Sequence, residues 1–329
     1  MRDKADRFVL FVSALLFVAT VGGCSVPLPD LPDTDLVFQL YPVVDYDEST
    51  VLGFINADGT GFEERDLVKE SGGLPAWSSD GKQVFYRWDP PGTMSSSVAD
   101  SLVAVAGMHT CSRGSGLWGS GRPRAVPERG NAVLTAVSKG QDPYMREVGL
   151  VDPITCEVIE VVYHFGYSEK IHLCDPVLSV DGLLALHFLD IYDGTEAEST
   201  IVVIDLEAGE ETEIGYGVGP SWSLDGQWLA YAARDGIYLA RPDGSENHRV
   251  VDYDSYSLSV PVPSRGTVWR FWSPYPEWSP DGQWLVYHLW ENEQYNIHKL
   301  NLETGEDEVI FEGGLYPHWR WASESAPGE

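Results

Sequence analysis

Basic residues are scarce in this chain of 329 residues. It contains 21 lysines and arginines against 51 aspartates and glutamates, which gives a formal net charge of −30 at pH 7. Because nucleic acids and anionic lipid headgroups are also negatively charged, the chain is expected to bind neither. A basic protein partner is compatible with this charge, although strong acidity also serves solubility alone.

Cysteines are few as well, and the short motifs of several enzyme classes are missing. The chain has four cysteines and no Gly-x-Ser-x-Gly, His-Glu-x-x-His or Cys-x-x-Cys sequence, which argues against a nucleophile elbow and the common zinc or redox sites. Residues 114–119 have the letters of a dinucleotide fingerprint, but Pro123 and Pro127 follow where a helix should begin. We therefore predict no cofactor, no metal site and no catalytic residue.

The first 24 residues have the pattern of an export signal. Arg2, Lys4 and Arg7 precede an apolar run from Phe8 to Val21, which is too short to be interpreted as a secure membrane span. Small residues then lead to Cys24, and this ending resembles the lipobox of bacterial lipoprotein signal peptides. The resemblance implies a lipid on Cys24 and an extracytoplasmic protein anchored to a bacterial membrane by that lipid alone. An uncleaved anchor would leave the protein on the same side of the membrane.

One sequence unit is repeated along the chain. It occurs as Pro276–Tyr287, Pro220–Tyr231 and Pro75–Tyr86, each with a Trp-Ser-x-Asp-Gly core. Each copy predicts a β-hairpin, in which glycine accepts positive φ and the aspartate accepts hydrogen bonds from nearby backbone amides. The aspartates of these turns, Asp80, Asp225 and Asp281, are accordingly interpreted as turn caps.

Three weaker copies extend the series to six. They begin at Pro127, Pro176 and Pro317. Each complete unit has room for four strands, a pattern typical of β-propellers. The N-terminal segment holds only the later strands of a unit and residues 315–321 only the first, so these two ends are expected to pair and close the ring.

These repeats resemble those of TolB-like six-bladed β-propellers. The resemblance implies an all-β fold over residues 35–321, with four antiparallel strands per blade, and a monomeric scaffold that binds an envelope protein or peptide. The flanking segments are then a signal peptide (1–23), a lipidated tether with three prolines (24–34) and a disordered tail (322–329). A propeller enzyme, either a polysaccharide lyase or a glycoside hydrolase with a metal or an acid/base pair in its channel, is the alternative. His187, His288 and His318 are the histidines considered for it.

In a four-stranded blade, the connections from strand two to three and from strand four to the next blade share one face. The long insertions of this chain fall there, at residues 41–50, 89–100, 190–199, 252–275 and 291–295. The longest carries adjacent aromatic and arginine residues, as interface hot spots do, and the predicted contacts are Trp269, Arg270, Phe271, Trp272 and Tyr275. The same loop is equally compatible with burying its own rings.

The residue after each leading proline is expected near the mouth of the central channel. These residues are Ala76, Glu128, Val177, Ser221, Glu277 and His318. Glu277 and His318 come from adjacent blades and are predicted as further binding residues, able to hold a cation or transfer a proton. An ordinary ion pair is the simpler interpretation.

Three cysteines follow Cys24 in a compartment that favours disulfides. Cys111 and Cys156 fall in turns on the same face and are the predicted pair. Cys174 lies at the far end of the next strand.

Overall fold

The computed structural model describes the residues that form an all-β molecule. They are residues 30–40, 51–66, 72–88, 102–105, 117–126, 129, 132–139, 147–153, 155, 157–165, 171–190, 199–253 and 274–321. They contain 23 strands and no α-helix. Within these ranges no helix has the length and apolarity needed to cross a membrane.

The strands form six antiparallel sheets around a ring. The innermost strands are β4 (Gly72–Trp77), β7 (Leu117–Ala125), β11 (Ile171–Leu178), β15 (Val218–Trp222), β19 (Glu277–Trp278) and β23 (Gly314–Trp319). The second strands are β1 (Leu36–Leu40), β5 (Val84–Trp88), β8 (Val133–Lys139), β12 (Leu183–Asp190), β16 (Leu229–Ala233) and β20 (Trp284–Glu291).

The remaining strands lie progressively farther from the axis. The third strands are β2 (Leu52–Ile55), β6 (Leu102–Val105), β9 (Glu147–Val151), β13 (Ser199–Asp205), β17 (Gly236–Ala240) and β21 (Gln294–Asn301). The outer strands are β3 (Glu63–Arg65), β10 (Val158–His164), β14 (Glu210–Tyr216), β18 (Asn247–Asp252) and β22 (Asp307–Glu312). Inner strands contact one another in chain order, and β23 contacts β4 and completes the circle.

The predicted number of four-stranded blades is wrong. Five sheets have four strands, whereas β4, β5 and β6 form a three-stranded sheet at the remaining position of the ring. The expected fourth strand of that sheet falls in residues 106–116, a glycine-rich stretch outside the described residues.

The predicted closure is confirmed. The C-terminal β23 pairs with the N-terminal β1 in an antiparallel register that sets Leu36 opposite Trp319 and Val37 opposite His318. The first blade is therefore assembled from both ends of the chain, in the order β23-β1-β2-β3. Pairing of this kind removes two free strand edges that an open array would expose.

The hydrophobic core lies between neighbouring sheets. Val37, Leu52 and Phe54 of the first blade pack on Trp77 and Tyr86 of the three-stranded sheet, and equivalent clusters fill the other intersheet spaces. Second strands have neighbours on both faces, so β16 is buried over nearly its whole length. Outer strands face water, and β22 is mostly exposed.

The Ser-x-Asp-Gly turns behave as predicted. Asp80 accepts hydrogen bonds from the Ser78 hydroxyl (2.6 Å) and the Lys82 amide (3.0 Å), and Gly81 has φ of 64°. The same bonds recur at Asp225 and Asp281. These aspartates are therefore turn caps, and bonding to Ser223 and Gln227 lowers the pKa of Asp225.

Arg320 contacts residues of each element that meets where the ring closes. Arg320 follows β23, and its backbone amide donates to the Asp35 carbonyl at 2.6 Å. Its Nε donates to the Gly81 carbonyl at 3.0 Å, and its guanidinium carbon lies 4.9 Å from the centre of the Trp77 ring. Arg320 thus connects the C-terminal strand, the N-terminal strand and the adjacent three-stranded sheet.

Replacing this arginine should weaken the closure. Arg320→Ala removes the bond to Gly81 and the stacking on Trp77, so we expect the free energy of unfolding to fall by about 1–2 kcal/mol in urea titrations. Arg129→Ala is the matched control, because among the described residues the Arg129 side chain makes one exposed ion pair, with Glu160, worth at most about 1 kcal/mol. Equal losses in the two variants would contradict a closing role for Arg320.

Candidate functional site at the central channel

The inner strands share an irregular backbone at their prolines. In five of them the residue before the proline has positive φ: Leu74 (55°), Asp175 (49°), Gly219 (62°), Tyr275 (46°) and Tyr316 (54°). Pairing registers shift at these points in the four strands paired on both sides of the irregularity. Such bulges re-aim the flanking side chains. The four non-glycine residues occupy a left-handed conformation that is costly for them, so the surrounding structure must impose it.

Inner strand β7 is shifted from its predicted position. We predicted its leading proline at Pro127, but β7 ends at Ala125 and the proline aligned with the others is Pro123. The channel position therefore belongs to Arg124 and not to Glu128, which lies outside the described residues. This copy lacks the Trp-Ser-x-Asp-Gly core, so the sequence held no strong marker for its register.

An ion pair spans the channel. Glu277 of β19 and Arg124 of β7 belong to inner strands three places apart in a ring of six. Arg124 donates through Nη1 to Oε2 of Glu277 at 2.7 Å and places Nη2 2.5 Å from Oε1. Arg122 also pairs with Oε1 through Nη1, and the Ser221 hydroxyl donates to Oε2 at 3.2 Å. One carboxylate thereby connects three inner strands.

This environment fixes the charge of Glu277. Burial alone would raise the pKa of its carboxyl, but the guanidinium groups of Arg124 and Arg122 outweigh burial and lower that pKa to about 2. Glu277 is 4% exposed, so its charge depends on these partners and not on water.

His318 is buried beside the same charged groups, but it is kept uncharged whereas Glu277 is kept ionised. Burial lowers its pKa to about 3; Glu277 opposes this shift, and the two arginines add to it. Its Nδ1 accepts a hydrogen bond from the Trp77 amide at 3.3 Å, which requires that nitrogen to be unprotonated. The imidazole is therefore neutral at physiological pH.

A second buried polar cluster is centred on Asp175, which precedes Pro176 at the irregularity of inner strand β11. Asp175 is 1% exposed and accepts hydrogen bonds from the Arg122 amide at 2.7 Å and the Tyr275 hydroxyl at 2.9 Å. Nδ1 of His187 lies 3.4 Å from the same carboxylate. Burial, and after it the charge of Asp175, raises the pKa of Tyr275 well above its usual value. Tyr275 thus remains a hydrogen-bond donor.

The structure describes three of the residues predicted to bind a partner, Tyr275, Glu277 and His318. Tyr275 and Glu277 flank Pro276 at the channel, and His318 is on the neighbouring inner strand. Trp269, Arg270, Phe271 and Trp272 lie outside the described residues, as do Cys24, Cys111 and Cys156. Cys174 is buried.

The three histidines considered for a metal have different neighbours. His187 lies by Asp175, His318 accepts from Trp77, and Nδ1 of His288 accepts a hydrogen bond from the Tyr316 amide at 3.3 Å. Among the described residues, no group of three or more His, Cys, Asp or Glu side chains is arranged to hold a metal ion.

Sequence reasoning missed Arg122, Arg124 and Asp175. The two arginines flank Pro123, and Asp175 precedes Pro176, so the shared x-Pro-x pattern was the available signal. One predicted insertion is also wrong, because residues 291–295 form a tight turn in which Asn292 and Glu293 have φ of 51° and 68°.

Comparison with known proteins supports the fold. No family model matches the chain. The Tol-Pal system protein TolB of Actinobacillus succinogenes (strain 130Z) is 32% identical over 81 residues, which are 25% of this chain and 18% of that protein. The match therefore spans less than a fifth of the relative's length.

Two solved structures resemble most of the chain. TolB from Acinetobacter baumannii superposes with a TM-score of 0.56 at 16% identity, covering 87% of this chain and 66% of that one. Hydrazine synthase of Kuenenia stuttgartiensis gives a TM-score of 0.54 at 10% identity, covering 88% of this chain and 47% of that one. At these identities the likeness establishes a TolB-like propeller fold and nothing about activity.

Neutralising Glu277 should be far more damaging than removing a neighbouring hydrogen bond. Glu277→Gln keeps the shape but leaves two arginines without a counter-charge, so we expect a loss of about 3–5 kcal/mol in the free energy of unfolding. Ser221→Ala removes one bond to the same carboxylate and should cost about 1 kcal/mol. Denaturant titration of both variants checks this, and similar losses would show that the ion pair does not organise the channel.

His318 should make the fold acid-sensitive. Its folded pKa of about 3 lies below the ordinary histidine value of 6.5, so as the pH falls below 6.5 the unfolded chain gains a proton that the folded chain does not. Stability should therefore decline by up to about 1.4 kcal/mol per pH unit from this group.

His318→Asn keeps an acceptor for the Trp77 amide and removes the titration. Between pH 6.5 and 4.5 the variant should lose stability less steeply than the wild type, by up to one proton's slope, in unfolding measured at several pH values. Parallel pH profiles would rule out a buried neutral imidazole at this position.

Proposed function

We propose that the protein is a lipid-anchored extracytoplasmic scaffold that binds a protein of the bacterial cell envelope. The binding surface is the face on which strand two connects to strand three and strand four connects to the next sheet. Trp269, Arg270, Phe271 and Trp272 supply the main contacts, and Tyr275 anchors the end of their loop in the channel.

The fixed charge states of Glu277 and His318 are the observation that carries this proposal. A proton-transfer pair needs pKa values near the working pH, whereas Glu277 is held ionised with a pKa of about 2 and His318 neutral with a pKa of about 3. Both oxygens of Glu277 are occupied by partners from other sheets. These groups suit a rigid support better than acid/base turnover.

The two faces of the ring also differ in the length of their connections. Described turns between first and second strands are short and capped, as at Ser223 and Asp225. The opposite face has four connections of one or two residues, at 217, 234–235, 292–293 and 313, and it also has the longest ones, of which residues 41–50, 191–198 and 254–273 lie outside the described residues. Recognition residues are commonly carried on long loops held by a rigid scaffold.

Tyr275 connects this face to the scaffold. Its hydroxyl donates to Asp175, and its ring meets that of Tyr316 edge-on with centres 5.4 Å apart. A loop that ends in such a contact starts from a fixed position, which reduces the entropy lost on binding. The export pattern ending at Cys24 supports the extracytoplasmic location.

Site-specific photo-crosslinking tests the proposed surface. The full chain, expressed in its native cell, carries a photoreactive amino acid in place of Trp272. The matched control carries it in place of Leu224, which is 48% exposed in the turn between β15 and β16 on the opposite face. We expect one envelope protein to crosslink through position 272 and not through position 224.

A second measurement separates recognition from proximity. Trp269→Ala combined with Trp272→Ala should reduce co-purification of the crosslinked protein by at least about tenfold, as expected when two hot-spot residues are lost. Leu224→Ala should have no effect. Crosslinking that is equal at both positions, or co-purification unaffected by the double substitution, would refute the proposed surface.

A further inference from the structure

One edge of the Arg122 guanidinium group in the channel has no hydrogen-bond partner among the described residues. Arg122 has a side chain with 0% exposure, and its Nη1 serves both Glu277 and the Pro317 carbonyl, the latter at 3.2 Å. Its Nε and Nη2 are buried and have no hydrogen-bond partner. These two nitrogens form one edge of the guanidinium plane, the geometry that receives a carboxylate through two parallel hydrogen bonds.

The charge balance at this position favours an anion. Arg122 and Arg124 contribute two positive charges, Glu277 contributes one negative charge, and His318 is neutral, since burial lowers its pKa to about 3. Asp175 is engaged by the Arg122 amide and by Tyr275, and not by either guanidinium group. Arg122, Arg124 and Glu277 together therefore carry one net positive charge, and the negative charge of Asp175 lies next to them without pairing with either guanidinium group.

A buried cation with free donors is costly unless something satisfies it. Leaving buried polar groups unpaired costs free energy, and the cost is larger for charged groups. Burial lowers the pKa of Arg122, but arginine stays protonated in proteins. Nε of Arg124 is likewise buried and without a partner, although 11% of that side chain reaches solvent. The group thus offers three buried nitrogens without a hydrogen-bond partner among the described residues, next to a partly exposed Arg124 side chain.

We propose that the Nε/Nη2 edge of Arg122 is a binding site for a carboxylate. The bound group lies at the channel axis, accepts two hydrogen bonds from Arg122 and neutralises the excess charge that Glu277 leaves. Its source is either a small carboxylate in solution or an acidic side chain presented by a peptide. The ring of Tyr275, the last residue of the aromatic loop, lies 5.5 Å from the Arg122 guanidinium carbon, but the proposed site does not require the partner-binding function proposed above.

The first test uses acetate as the probe on the full-length chain at pH 7 and constant ionic strength. Replacing chloride with acetate should raise the melting temperature of the wild type by roughly 2–4 °C at acetate concentrations well above saturation. Arg122→Lys keeps the charge near Glu277 but lacks the fork, so it should lose this response. Arg129→Lys, at an exposed arginine, should retain it.

A spectroscopic measurement covers the case in which Arg122→Lys folds poorly. Nε–H resonances of the ¹⁵N-labelled wild type are followed during the acetate titration. One resonance should shift and saturate, while that of exposed Arg129, identified by its absence from Arg129→Lys, should not move. If no arginine resonance responds to acetate, or if chloride produces the same shift, the buried donors hold water only and the proposal is wrong.

A peptide arm identifies the source of the carboxylate. N-acetyl-Gly-Glu-amide is compared with N-acetyl-Gly-Gln-amide, which has the same shape without the charge. Saturation by acetate and the glutamate peptide assigns the site to a presented side chain, and saturation by acetate alone assigns it to a free carboxylate. Equal responses to the two peptides would overturn carboxylate recognition.

Discussion

A single carboxylate at the axis determines how the centre of this propeller is built. Glu277 faces Arg124 across the ring and also pairs with Arg122 and Ser221. Two cations and a carboxylate removed from water are unfavourable separately. They are tolerated because the carboxylate forms close ion pairs with both guanidinium groups, and this pairing connects sheets on opposite sides of the ring.

The backbone of the inner strands makes that arrangement possible. A proline preceded by a residue with positive φ interrupts the pairing with the second strand and directs the flanking side chains toward neighbouring sheets. Where these strands turn into the second strands, the aspartate of each Ser-x-Asp-Gly turn accepts hydrogen bonds from within the same turn, so the turn needs no partner from another sheet. Strain is therefore concentrated at the axis, where packing between sheets can sustain it.

The ion-paired centre also fixes the charge states of its buried groups. Glu277 and His318 are held far from the pKa values useful for proton transfer, while Nε and Nη2 of Arg122 have no hydrogen-bond partner among the described residues. The carboxylate site that we propose uses these two nitrogens. The protein-binding surface that we propose is a different one, on the face that carries the long connections.

Repeated local chemistry was sufficient to predict the propeller architecture, the turn caps and the closure of β23 on β1. These features depend on residues close in sequence or on an apolar pattern that recurs in each unit, so they can be recognised from the chain alone. The register of β7 and the number of four-stranded blades depend on copies that lack the Trp-Ser-x-Asp-Gly core. Only the tertiary structure decided that Arg122, Arg124 and Asp175 meet Glu277 and Tyr275, because their partners are more than fifty residues away and are selected by the geometry of the closed ring.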